Sequence, residues 1–229
     1  MAIKVEDINV YGFETAIRAM RNPMNSWDKS DSEWRIYTPE YPHLSEAKYE
    51  IGKNDLDLMK RLYKAGTEHR TYARMIFVWM DITAPLYWWK EMDRYTVGKS
   101  QVSTSTMHKI HAKKFELDDF SHEHISNESI LIEEDGQHYL NSALDNLKDT
   151  IDLLNTYRKQ YLQTKNKEDW WQLIQLLPSS YNQRRTVCMS YETVFKIIKE
   201  RTGHKLDEWN EFVETIKNLP YVKEVAEIE

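Results

Sequence analysis

Hydrophobic positions along the 229-residue chain change period several times, and each change predicts an element. Residues 3–10 alternate in part and carry β-branched side chains, which predicts a short strand. Phe13, Ala16, Ile17 and Met20 follow at helical spacing, and Asn22-Pro23 ends that helix. Met24 and Trp27 then stand in a polar loop. Residues 33–50 show little periodicity, and Pro39 and Pro42 argue against a long helix there. Leu56, Met59, Leu62 and Tyr63 share one helical face, with Asn54 or Asp55 as the N-cap and Gly66 as the stop after Ala65. Residues 72–83 are apolar on both alternating faces. Met75, Phe77 and Trp79 lie on one; Ile76, Val78, Met80 and Ile82 lie on the other. That pattern predicts a central strand covered on both sides. Pro85 then suits the first turn of a helix.

In the second half, residues 130–132 predict a short apolar strand or turn. The longest helix is predicted over 137–163, with Leu140, Ala143, Leu144, Leu147, Ile151, Leu154, Tyr157 and Tyr161 as its stripe. After a polar break at 165–169, a short helix over 170–177 stops at Pro178. A helix over 187–201 would bury Tyr191, Val194, Phe195 and Ile198 and stop at Gly203. Leu206, Trp209, Phe212, Val213 and Ile216 predict a last amphipathic helix ended by Pro220. No internal repeat, linker or low-complexity tract interrupts the pattern. The expectation is one α+β domain over residues 1–229, with a central sheet and packed helices.

Composition narrows the function classes. Net charge is −6, and general nucleic-acid binding, which needs a basic surface, is disfavoured. No apolar run approaches a membrane span. The single cysteine, Cys188, excludes an intrachain disulfide and fits a reducing, cytoplasmic setting. Eight Trp and fourteen Tyr supply a large core and are also residues that subunit interfaces favour.

Three groups of residues could carry chemistry. The first is the stretch over 83–109. It passes from an aromatic helix with Lys90 and Arg94 on one face to Gly98, Lys99, Gln101 and a run of hydroxyls that includes Ser103 and Thr104. Cations leading into a hydroxyl-rich loop can hold a phosphate through charge-assisted hydrogen bonds; a solvated helix face beside a polar loop reads equally well. The second is His108 and His111 with His122 and His124, spaced for metal ligation but without a cysteine and in separate segments. Scattered surface histidines explain them better. The third is Arg184, Arg185 and Arg201; a cation at a helix C-terminus accounts for Arg201 without a ligand. No nucleophile elbow, P-loop, dinucleotide fingerprint or metalloprotease motif is present, so the residues name no catalytic group.

The order of these features resembles the flavin-dependent thymidylate synthases, the ThyX family. In that family an apolar strand, an Ala-Pro helix start and the motif RHRxxSxNExSxRY follow one another. Here residues 75–83 run into Ala84-Pro85, and Arg94 falls on the motif's first arginine. Gly66-Thr67-Glu68-His69 resembles the family's Gly-His turn, and Leu177-Pro178 with the segment to Arg201 resembles its Leu-Pro segment and nucleotide-contacting arginine. His204 and Trp209 are similar to the residues that follow. The resemblance implies a mainly antiparallel central sheet and a homotetramer. It also implies a dUMP-like pyrimidine nucleotide as ligand, with FAD, NADPH and methylenetetrahydrofolate as reactants if the reductive methylation is kept. Lys90, Arg94, Lys99, Gln101, Ser103, Thr104 and Arg201 are then the nucleotide- or flavin-binding candidates. The chain departs from the motif at Tyr95, Thr96, Lys99, Gln101, Val102, Thr104 and Thr106. Met75 replaces a family histidine, and Glu192 stands where a flavin-contacting arginine belongs. Each missing charge-assisted hydrogen bond is worth about 1.5–3 kcal/mol. The expected function is therefore a ThyX-like protein that binds or acts on a pyrimidine nucleotide, or a non-catalytic homologue that keeps the fold and oligomer.

Overall fold

A computed structural model describes residues 3–38 and 45–228. Its first strand, β1 (Lys4–Tyr11), leads through Gly12 into α1 (Phe13–Met20). Gly12 sits at φ 102°, and a Cβ there would fall on the carbonyl oxygen of Met75, so glycine alone fits this turn. The aperiodic region at 33–50 holds a hairpin of β2 (Glu33–Tyr37) and β3 (Glu46–Glu50), antiparallel with Glu33 opposite Glu50. Its side chains are exposed or half-buried on both faces, so no apolar period marks it. Pro39 and Pro42 lie outside the described residues.

Helix α2 (Lys53–Lys64) follows, but neither Asn54 nor Asp55 caps it. The carboxylate of Asp31 accepts the N–H groups of both. Asp55 instead points inward, fully buried, against Arg21. Residues Thr71–Arg74 form a 3-10 turn rather than the start of the predicted strand, and β4 runs Phe77–Pro85. Ile76, Val78, Met80, Ile82 and Ala84 are buried, whereas Trp79 and Met75 on the other face remain 39% and 40% exposed. The expected cover on both sides is therefore present on one side of this chain.

Helix α3 (Leu86–Met92) and β5 (Lys99–Ser103) come next. A second hairpin pairs β6 (Ile130–Glu134) with β7 (Gln137–Asn141). The first residues of the predicted long helix are thus strand. Asp135 and Gly136, both at positive φ, make the tight turn, and an Asp-Gly pair is a strong hairpin signal. The helix proper, α4 (Ala143–Thr164), starts at Ser142, whose hydroxyl accepts from the N–H of Asp145. Helix α5 (Lys167–Leu176) packs on α4. Strand β8 (Asn182–Ser190) takes the residues 187–190 expected to be helical. Val187 and Met189 alternate into the core, and Ser190 then caps α6 (Tyr191–Arg201). Helices α7 (Asp207–Lys217) and α8 (Val222–Ala226) complete the chain.

Four strands form one sheet in the order β1-β4-β8-β5, which makes β4 central as expected. Hydrogen bonds fix the directions. Leu86 donates to Tyr181 and Tyr191 to Ile76, so β8 descends as β4 rises. Ser190 donates to Gly98 and Thr104 to Arg184, which sets β5 antiparallel to β8. The fold is α+β with an antiparallel sheet.

The chain folds as two compact units. One contains Ile82–Arg94 and Val102–Thr186, and its core gathers Phe115, Phe120, Leu147, Ile151, Leu154 and Leu173. The other contains Val5–Asp81, Tyr95–Gln101 and Val187–Glu229, with α6 packed on α7 and α2 on α8. Trp209, Phe212, Tyr191 and Tyr72 are fully buried in it.

Candidate functional site

The aromatic part of α3 is structural. Trp88 and Trp89 are fully buried, and the Trp89 indole N–H donates to the Gln183 carbonyl at 2.9 Å. The Arg185 guanidinium lies 4.3 Å from the centre of the Trp89 ring and holds Asp93 at 2.8 Å. Arg185, not Arg94, is therefore the partner of Asp93. Lys90 and Arg94 are exposed, and among the described residues neither side chain makes a hydrogen bond or an ion pair. Ser103 is exposed, and the Thr104 N–H and hydroxyl both donate to the Arg184 carbonyl, at 2.9 and 3.2 Å. Part of the hydroxyl run thus secures an edge strand. In the same unit Gln183 donates to the Thr104 carbonyl at 2.7 Å.

Lys99, Gln101 and Arg201 belong to the other unit. The Lys99 ammonium donates to Gln101 Oε1 at 3.2 Å. Arg201, at the end of α6, lies 4.6 Å from the Trp209 ring and donates through Nε to the Tyr95 hydroxyl at 2.9 Å. Tyr95 in turn donates to Glu200 at 3.0 Å. Burial and the Glu200 carboxylate raise the Tyr95 pKa against the lowering effect of Arg201, so the phenol stays protonated. His204 Nε2 stands 3.0 Å from Arg201 Nη1. The guanidinium is thus lodged among the Trp209 indole, the Tyr95 phenol and the His204 imidazole of its own unit.

Arg70 is engaged too. Its Nε lies 2.9 Å from Glu192, both side chains are largely buried, and its guanidinium stacks 4.9 Å from the Tyr63 ring. The glutamate that departs from the family pattern neutralises a local arginine.

The histidines assemble no metal centre: among the described residues no group of three or more His, Cys, Asp or Glu side chains could hold an ion. His122 Nδ1 faces the Phe120 carbonyl at 2.8 Å, while His108 and His111 line one small cleft. Cys188 is a half-buried free thiol on β8, not on a helix, and burial raises its pKa. A larger cleft of about 740 Å³ opens between β1, the start of α1 and the β2–β3 hairpin. Tyr11, Phe13, Trp34, Tyr49 and Tyr221 give it aromatic walls, and Glu14 lines it. Sequence reasoning misses it because the hairpin carries no periodic signal.

The chain resembles solved structures along nearly its whole length. It covers 98% of itself and 96% of a Helicobacter pylori flavin-dependent thymidylate synthase ThyX complexed with FAD and dUMP, at TM-score 0.62 and 15% identity. The fold is that of ThyX. A UMP/dUMP methylase, PolB, from Streptomyces cacaoi, bound with 5-Br dUMP, matches at TM-score 0.62 and 12% identity over 97% of this chain and 93% of that one. No protein-family model and no curated protein sequence matches the chain. The ThyX fold is thus carried by a sequence only 12% and 15% identical to these two solved structures.

Proposed function

We propose that this chain binds a pyrimidine nucleoside monophosphate on its ThyX fold, with Lys90 and Arg94 as cations for the phosphate. The observation that carries the reading is the fold match over 98% of the chain to a protein whose structure holds dUMP. PolB, with 5-Br dUMP, supports the same ligand class. Lys90 and Arg94 are exposed, and among the described residues neither has an ion-pair partner. Ser103 and Thr104, in the same unit as Lys90 and Arg94, are the candidates for polar contacts around such a ligand. Arg201 acts here as a structural residue of the α6–α7 corner.

FAD fits this chain less well. Its diphosphate needs compensating cations. At the position the resemblance assigns to the flavin, Glu192 supplies a carboxylate and already neutralises Arg70. Nucleotide binding without flavin chemistry is therefore the reading, and NADPH and methylenetetrahydrofolate have no part in it. A homo-oligomer, a tetramer by the resemblance, is its natural setting: Trp79, Met75 and Tyr11 are 39%, 40% and 61% exposed. No described helix is long and apolar enough to cross a membrane.

A thermal-shift series tests the proposal. A ligand that binds the folded state at about 100 times its Kd adds about 2.7 kcal/mol of stability. Saturating dUMP or UMP should raise the melting temperature of a preparation free of flavin absorbance. A melting temperature unmoved by either nucleotide would overturn the reading, and a yellow, FAD-loaded protein would restore the flavoenzyme reading.

A further inference from the structure

The cleft lined by His108 and His111 is built from three segments of one unit: the 107–111 turn, the end of α4 and the start of α5. It encloses about 320 Å³. We propose that it binds a phosphate monoester carrying a planar ring. Lys165 and Lys167 supply positive charge, and Tyr161 and Trp170 supply ring surface. No carboxylate lines the cleft, although the chain as a whole carries a net charge of −6.

The lysines are placed by neighbours that leave their charge unneutralised. Lys165 adopts φ 55° as the cap of α4 and lies 5.5 Å from the Tyr161 ring centre. Lys167 lies 5.9 Å from the ring of Trp171. Among the described residues neither pairs with a carboxylate. The Trp170 indole N–H donates to the Met107 carbonyl at 3.0 Å, which fixes that ring against the turn. Arg158 donates to the His111 carbonyl at 2.9 Å and fixes the turn from the α4 side.

His111 adds an imidazole to the lining of the cleft. Its Nδ1 is buried without a hydrogen-bond partner, and its ring packs edge-on against Tyr161 at 4.9 Å. Nε2 is then the nitrogen through which it can donate to an incoming oxygen. Burial first, and then the charges of Lys165, Lys109 and Arg158, push the His111 pKa below its ordinary value. A dianion in the cleft opposes those three charges and raises the pKa again. The cleft is independent of the proposed nucleotide site, since neither Lys90 nor Arg94 lines it.

The test follows the ring protons of His111 by NMR through a pH titration. The additions are phenyl phosphate, inorganic phosphate, and chloride at matched ionic strength. Phenyl phosphate should move the His111 resonance and raise its midpoint. Inorganic phosphate should do so about tenfold more weakly, the factor that an aromatic contact of about 1.4 kcal/mol supplies. The Lys165→Ala, Lys167→Ala double variant should lose both responses and keep its melting temperature. A His111 resonance that moves no more in either phosphate than in chloride would overturn the proposal. So would an unchanged response in the folded double variant.

Discussion

Asp55 shows how a charged residue can be structural at full burial. Its carboxylate accepts from Arg21 Nε at 2.6 Å, from the hydroxyls of Ser30 and Ser32, and from the backbone N–H groups of Asp31 and Ser32. Burial pushes its pKa up, and these hydrogen bonds outweigh burial and hold it below the ordinary value. The sign follows directly: a lowered folded pKa stabilises the protein above the unfolded carboxylate pKa of about 3.9. That contribution is lost as pH falls through the lowered value. Asp55→Ala should cost about 3–5 kcal/mol at pH 7 by leaving Arg21 buried and unpaired. Denaturant unfolding at pH 7 and pH 3 should show a smaller acid penalty in the variant than in the wild type. Equal penalties would contradict this account. From sequence Asp55 reads as a helix cap, because an Asp before an apolar helical face has that signature. Its partners Arg21, Ser30 and Ser32 are distant in sequence, and no local signal reports them.

The elements were legible where burial is one-sided and continuous. The α1, α5 and α7 patterns, the centre of the long helix and the apolar core of β4 all match, because each presents one stripe to a core. Hairpin β2–β3 was not legible, since both its faces meet solvent. Val187–Ser190 read as helix because a short apolar run next to α6 has no period of its own. The Asp135-Gly136 pair is a hairpin signal that the helical reading over 137–163 does not use, and Leu140, placed in that helix's stripe, lies 70% exposed on β7. At this scale the N-terminal cap of α4 gives a clean test. The Ser142 hydroxyl accepts from the Asp145 N–H at 3.0 Å and donates to its carboxylate at 2.8 Å. Ser142→Ala should lower stability by about 1 kcal/mol, read from the denaturation midpoint with unchanged slope. Gly98→Ala should cost more. Its φ is 68°, and a Cβ would sit 2.6 Å from the Ser190 hydroxyl at the cap of α6.

For the whole molecule, the fold was readable because spacing survives when identities do not. The match to the ThyX fold extends over 98% of the chain at 15% identity. Lys90 and Arg94 stay open to solvent, while Arg201 is held by Tyr95, Trp209 and His204 of its own unit. The two arginines should therefore separate in function. Arg94→Ala removes one charge-assisted contact worth about 1.5–3 kcal/mol, a loss of about 10- to 150-fold in nucleotide affinity, with stability intact. Arg201→Ala should lower the melting temperature first. Calorimetric titration of dUMP into wild type, Arg94→Ala and Arg201→Ala is the most direct measurement. The account predicts saturable binding by the wild type, weakened binding by a fully stable Arg94→Ala, and a destabilised Arg201→Ala. Absence of heat from dUMP and UMP in the wild type, or unchanged affinity in Arg94→Ala, would contradict it.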